Sequence, residues 1–267
     1  MTDDYKDCSE ITLEPGYELI ADLHGIEAVL AIRSSDAVKL VLNSNTVHSL
    51  SVKYGPALKL AKKLNLSVER ASKQSLASLG ASTGDFFLVA KIKAQPTLNQ
   101  FLATLAPIKS YLVLALDHIE DPHNLGALMR SAAAFGAEAV LVPRDRSAPL
   151  SPTARKASSG GAEQVHLISV VNLPRALREL KDGGFWVAAA QEGRGTKLSD
   201  FRFSVRQVLL LGGEGKGVSE GAAKEVDDWL HIPIIEGAVN SLNVSNAGAV
   251  IMQLWAQRAL RELEQGQ

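Results

Sequence analysis

From Tyr111 onward the chain repeats one unit: a short, almost uninterrupted apolar run followed by a stretch with helical spacing. The runs are YLVLALD (111–117), AEAVLVP (137–143), QVHLISV (164–170), FWVAAAQ (185–191), QVLLLG (207–212) and WLHIP (229–233). The spacing between them predicts helices from Asn124 to Phe135, near 151–158, over 173–182, after Ser219 and from about Ser245. A strand that is apolar at nearly every position must be covered on both faces, and alternation with helices supplies the cover. The pattern therefore demands an α/β fold with a mostly parallel sheet.

The residues before this repeat form a smaller α/β module. Ile26, Val29, Leu30 and Ile32 predict a helix after Gly25. VKLVLN (38–43), LSVER (66–70) and DFFLVAKIKA (85–94) read as strands. A helical segment reaching Leu64 takes Asn45 or Thr46 as its cap, and SKQSLASLG (72–80) reads as a helix stopped by glycine. Pro96 and Pro107 bracket a short helical stretch. The expected organisation is a small domain over 1–94, a linker over 95–110 and a second domain over 111–267.

Charge divides the small module. Residues 1–36 hold nine acids against Lys6 and Arg33, whereas residues 37–93 hold nine Lys and Arg against Glu69 and Asp85. The basic stretch fits either a phosphate-binding face or a solvated helix surface. A single cysteine, Cys8, excludes a disulfide framework and fits a reducing compartment. The acidic start MTDDYKDCSE and the lack of any run of 18 apolar residues predict a soluble, cytoplasmic protein without a membrane partner.

Familiar cofactor signatures fail. GGEGKGVS resembles a P-loop, but Lys216 is followed by Gly217, and no G-x-G-x-x-G occurs. The six histidines are scattered, so no metal site is expected. Three polar loops after apolar strands remain, and ligands of an open parallel sheet sit beyond the carboxyl ends of its strands. In the first loop, DHIEDPHNLGALMRSAAAFG, Asn124 reads as a helix cap or as a site amide. Arg130, six residues on, has Ala127, Ala133 and Ala134 at neighbouring-turn spacing, so it shares or flanks an apolar face and calls for a carboxylate, a phosphate or a ligand hydroxyl. The second loop sets Gly212, Gly213, Gly215 and Gly217 around Glu214 and lets a ligand approach the backbone. The third offers Asn240, Ser241, Asn243, Ser245 and Asn246 around Leu242; Ser245 or Asn243 caps the last helix, but one cap does not need all five.

Together these loops resemble the SpoU (TrmH) family, part of the knotted SPOUT class of S-adenosylmethionine-dependent RNA methyltransferases. DPHNLGALMRSAAAFGAEAVLVP, LLLGGEGKGVS and IPIIEGAVNSLNVSNAGA are similar to its three motifs, in order and at family spacing. Residues 143–167 are similar to the branch that modifies a guanosine of 23S rRNA, and the N-terminal module to that branch's small RNA-binding domain.

The resemblance implies a deep trefoil knot formed by the second and third loops with the final helix threaded through. It implies S-adenosylmethionine held near Gly212, Gly213, Ile232 and Leu242. It implies methyl transfer to a ribose 2′-hydroxyl with Arg130 as activator and Asn124, Glu214, Ser241 and Asn243 as the other polar site residues. The implied partner is RNA, rRNA first and tRNA second, and the implied assembly a homodimer. A non-catalytic RNA-binding or assembly factor is the reading from another class.

Overall fold

A computed structural model describes residues 6–7, 11–44, 54–79, 85–106, 110–213, 215–235 and 241–265. Side chains are described for these except 6–7 and 259–265. The chain divides into two compact units, Met1–Ala94 and Gln95–Gln267.

The first unit is built on strands β1 (Lys6–Asp7), β2 (Tyr17–Ile20), β3 (Ala37–Asn43), β4 (Ser67–Ala71) and β5 (Phe86–Lys91), in the order β1-β4-β3-β5-β2. The β1–β4 and β3–β4 pairs are parallel, and β3–β5 and β2–β5 antiparallel. The alternation of FFLVAK divides the core. Phe86 and Leu88 join the cluster under helices α1 (Leu23–Ile32) and α2 (Gly55–Lys63), while Phe87 and Val89 face Ile11, Val41 and Leu76. In α2, Ala57 and Ala61 are buried and Lys59, Lys62 and Lys63 exposed, which is the spacing of a helix with one core face. Lys39 is paired with Glu69 at 2.7 Å. The expected caps Asn45 and Thr46, and the stop Gly80, lie outside the described residues; α2 begins after Tyr54 with Pro56 in its first turn. β1 and β2 were not foreseen, being short and mixed in polarity.

In the second unit the stretch 95–110, expected as a linker, carries helix α4 (Leu98–Ala103), preceded in the chain by α3 (Lys73–Ser78) of the first unit. Leu98 and Phe101 stand three residues apart on one face and are buried in this unit's core, and Thr97 with Gln100 makes a capping box. Seven strands follow: β6 (Tyr111–Asp117), β7 (Ala139–Pro143), β8 (His166–Val170), β9 (Trp186–Ala190), β10 (Thr196–Lys197), β11 (Arg206–Gly212) and β12 (Asp228–His231). Their order is β10-β12-β9-β11-β6-β7-β8, and every pairing is parallel.

The sheet is covered on both faces, as the apolar runs required. Leu112, Leu114 and Leu116 of β6 pack with α5 (Pro122–Ala134) and the last helix, Val244–Gln265. Val113 and Ala115 pack with α4 and with the helix Leu173–Asp182. β11 is inserted between β6 and β9, and β12 lies beyond β9. The carboxyl ends of β6, β11, β9 and β12 thus meet along one edge.

Candidate active site

At that edge Asp117 is paired in register with Gly212. Asp117 closes an apolar strand and is 1% exposed. A buried carboxylate needs partners. Its Oδ2 accepts from the Ser219 N–H at 2.7 Å, and its Oδ1 lies 2.7 Å from His118 Nδ1. Its carbonyl accepts from the Gly213 N–H at 2.8 Å. These bonds fasten both ends of the 213–219 loop to the end of β6.

The loop is folded on itself, with the Gly217 N–H donating to the Gly213 carbonyl at 2.9 Å. Two of its glycines are required by space. A Cβ on Gly212 would stand 2.1 Å from the Gly217 carbonyl carbon, and one on Gly213 would stand 2.4 Å from the His118 carbonyl oxygen. Neither position has room for a side chain.

The first loop differs from expectation. The N-cap of α5 is Asp121, whose Oδ1 accepts from the His123 N–H at 2.9 Å, with Pro122 following. Asn124 is therefore not a cap. It lies inside the helix, 8% exposed, and its Oδ1 accepts from Asn243 Nδ2 at 3.0 Å. Asn243 in turn caps the last helix: its Oδ1 accepts from the N–H and the hydroxyl of Ser245 at 2.9 and 2.6 Å. One bond thereby joins the first polar loop to the third.

A cavity of about 660 Å³ opens beside these loops, and Gly212, Gly213, Ile232, Ser241, Leu242 and Asn243 all line it. Leu211, Ile234 and Val244 add apolar wall, while Gln191, Glu192 and His231 add polar groups. Its size and mixed lining are those of a small-molecule site. His231 Nδ1 is buried there without a hydrogen-bond partner among the described residues. A second cavity of about 470 Å³ shares Gly213, Gly217 and Val244 with the first and reaches Asn124, His118, Arg146 and Lys216.

Arg130 lines neither cavity. Six residues along a helix turn the chain by about 240° and advance it about 9 Å, so Arg130 looks away from the Asn124 face. It is exposed, as is Ala134, with Ala127 and Ala133 half-buried. The apolar face expected around it is thus largely open within one chain. Gly161 packs under it: a Cβ there would meet the Arg130 Cα at 2.9 Å. Glu214 lies outside the described residues.

Reading the sequence passed over Asp117 with His118, and also Arg146, Lys216, Gln191 and His231. The available signal was a charged residue ending a buried strand, where the ligand edge of a parallel sheet lies. Among the described residues no group of three or more His, Cys, Asp or Glu is arranged to hold a metal ion, and no helix is long and apolar enough to cross a membrane.

Residues 111–253 match the model of the SpoU rRNA Methylase family. The chain is 39% identical over 206 residues to the 23S rRNA (guanosine-2'-O-)-methyltransferase RlmB of Acinetobacter baylyi, covering 75% of this chain and 83% of that one. It is 33% identical over 238 residues to the RlmB of Photorhabdus laumondii, covering 88% and 96%. Among solved structures it resembles the SpoU methyltransferase AviRb from Streptomyces viridochromogenes in complex with AdoMet. That likeness has a TM-score of 0.73 over 92% of each chain at 19% identity, and concerns the fold.

Proposed function

The chain belongs to the SpoU rRNA Methylase family, and on that premise we propose that it methylates the ribose 2′-hydroxyl of a guanosine in 23S rRNA, using S-adenosylmethionine. The observation that carries this reading is the similarity to the Photorhabdus enzyme over 238 residues, a span longer than the second unit alone. On this reading the first unit grips RNA with its basic face and the second performs the transfer.

The larger cavity fits the cofactor. Leu211, Ile232, Ile234 and Leu242 offer an apolar wall to an adenine ring, and Gly212 and Gly213, packed against the chain's own backbone, line the cavity beside them. Glu192 puts a carboxylate on the same lining, complementary to a cationic ligand. When bound, S-adenosylmethionine supplies a methyl group on a positively charged sulfur.

The chain's own task is to make a weak nucleophile attack. Arg130 is the assigned activator, and a guanidinium, which keeps its proton in proteins, does not serve as a base. It acts by staying charged and holding the developing alkoxide and the neighbouring phosphate. Ser241, Asn243 and Asn124 orient the ribose and the loops, with Glu214 as the remaining polar member. Because Arg130 faces away from the cavities of its own chain, we assign it to the site of a second copy in a homodimer. Val250, 45% exposed on the last helix, gives such a contact an apolar element. The insertion of β11 between β6 and β9 supports the trefoil knot, with the last helix threaded behind the loops. The setting is the cytoplasm.

The test is to incubate the protein with labelled S-adenosylmethionine and either 23S rRNA fragments or tRNA, then map the modified nucleotide. Label on a guanosine ribose of rRNA is expected. Label confined to tRNA would shift the substrate, and label on a base would end the proposed chemistry. Arg130→Ala should lower turnover by about 100-fold or more, the usual cost of one oxyanion donor, with cofactor affinity retained.

A further inference from the structure

The smaller cavity shares Gly213, Gly217 and Val244 with the larger one. Its lining mixes charges in a definite way. Arg146 and Lys216 enter it from two separate loops. Both are exposed, and neither makes a hydrogen bond or ion pair among the described residues. Two cations lining one cavity favour an anion there, which each of them attracts.

Arg146 is also placed, not left to wander. Two residues on, the buried Ala148 donates its N–H to the Ile119 carbonyl at 2.8 Å, which pins the 144–150 loop against the first polar loop. Arg146 itself has φ of 56°, a conformation that non-glycine residues seldom adopt. Glu120 and Asp121 also line the cavity. Asp121 is committed to capping α5, which leaves Glu120 as the other carboxylate in the lining. The lining thus carries two cations and one uncommitted carboxylate.

We propose that this cavity seats a backbone phosphate of the substrate RNA next to the target ribose, held by Arg146 and Lys216 and repelled by Glu120. The proposal rests on the RNA methyltransferase reading, and it deepens it by naming what the second cavity binds. A planar guanidinium grips a phosphate with two hydrogen bonds and an ammonium with a point charge. Arg146 therefore contributes more than Lys216. Because the two cavities share a wall, a phosphate in one sets the adjoining ribose at the mouth of the other.

The experiment measures binding of a fluorescent 23S rRNA fragment by anisotropy across a salt series, alongside methylation kinetics. Arg146→Gln should raise the RNA Kd and KM about 10-fold, the scale of one lost charged contact. Lys216→Gln should do so by less. Each should reduce the salt slope by about 1, with S-adenosylmethionine affinity unchanged. Glu120→Gln should bind RNA severalfold tighter. Arg146→Lys should recover part of the loss, since charge returns without the fork. A double Arg146→Gln, Lys216→Gln variant with the Kd and salt slope of the wild type overturns the proposal even while methylation proceeds. If the variants weaken RNA binding but the wild type transfers no methyl group, the phosphate seat stands and the assigned reaction falls.

Discussion

Replacing Gly212 by alanine adds one methyl group at the junction of β11 and the loop that lines the larger cavity. That methyl would lie 2.1 Å from the Gly217 carbonyl carbon, 2.3 Å from the Val218 nitrogen and 2.4 Å from the Gly217 oxygen. Non-bonded carbons rest about 3.5–4.0 Å apart, so the 217–218 backbone must retreat by more than about 1 Å. A retreat of that size breaks the Gly217 to Gly213 bond at 2.9 Å and the Ser219 bond to the Asp117 carboxylate at 2.7 Å. The first contributes about 1 kcal/mol, and the second, made to a charged group, about 2 kcal/mol. Together they amount to about 3 kcal/mol. For a domain of this size that lowers Tm by roughly 6–12 °C.

If the cofactor binds only the closed loop, about 3 kcal/mol also raises its Kd by about 100-fold, readable by titration calorimetry. Gly136→Ala is the matched control. Gly136 has φ of 77° and nothing within 4 Å of the added Cβ. That variant carries only the left-handed penalty of about 1–2 kcal/mol and should leave cofactor affinity alone. A Gly212→Ala protein that binds S-adenosylmethionine as tightly as the wild type would refute the steric argument. So would one that melts no lower than the Gly136→Ala protein.

Other expectations are more local. Asn124→Ala removes the acceptor of the Asn243 amide while the Asn243 cap on Ser245 stays, so Tm should fall by only a few degrees and turnover by about 10-fold or more; equal losses in both would assign Asn124 to folding. Arg155 and Glu163 form a pair at 2.7 Å with side chains 13% and 2% exposed. Arg155→Met alone should cost about 3–5 kcal/mol in denaturant unfolding, and Arg155→Met with Glu163→Leu should recover most of it; no recovery would mean the pair is more than a charge match. Replacing Lys59, Lys62 and Lys63 by glutamine should weaken RNA binding and flatten its salt dependence, and unchanged binding would return them to an ordinary solvated face.

The second unit was legible because its signal is dense. Strands apolar at successive positions have few ways to be buried, and β6, which is Tyr111–Asp117, has the bounds its sequence suggests. Legibility failed where local and long-range choices compete. Asn124 and Asp121 are both cap-forming types three residues apart, and local spacing does not show that Pro122 selects Asp121 by fitting the first helical position. The 95–110 stretch looked like a linker because of its prolines, yet its helix finds a face of the sheet to bury Leu98 and Phe101. The placement of Arg130 is of another kind. Its distance from Asn124 in sequence is short, and only the helical rotation turns it away from the cavities.

The Asn124 to Asn243 bond spans 119 residues and ties the first polar loop to the third. Asn243 has an amide with two ends: the oxygen starts the last helix at Ser245, and the nitrogen reaches Asn124. The last helix therefore begins at the point where it is registered against α5. Gly248, one turn in, sits where a Cβ would be 2.6 Å from Leu128 and 2.9 Å from Leu211, so the same register brings that helix close to both α5 and β11. A shift of the helix by one residue would break the amide pair and drive a side chain into Leu128 together. The cavity wall formed by Ser241 to Val244 is thus fixed by packing more than by its own loop, and substitutions at Gly248 should disturb cofactor binding although Gly248 lines neither cavity.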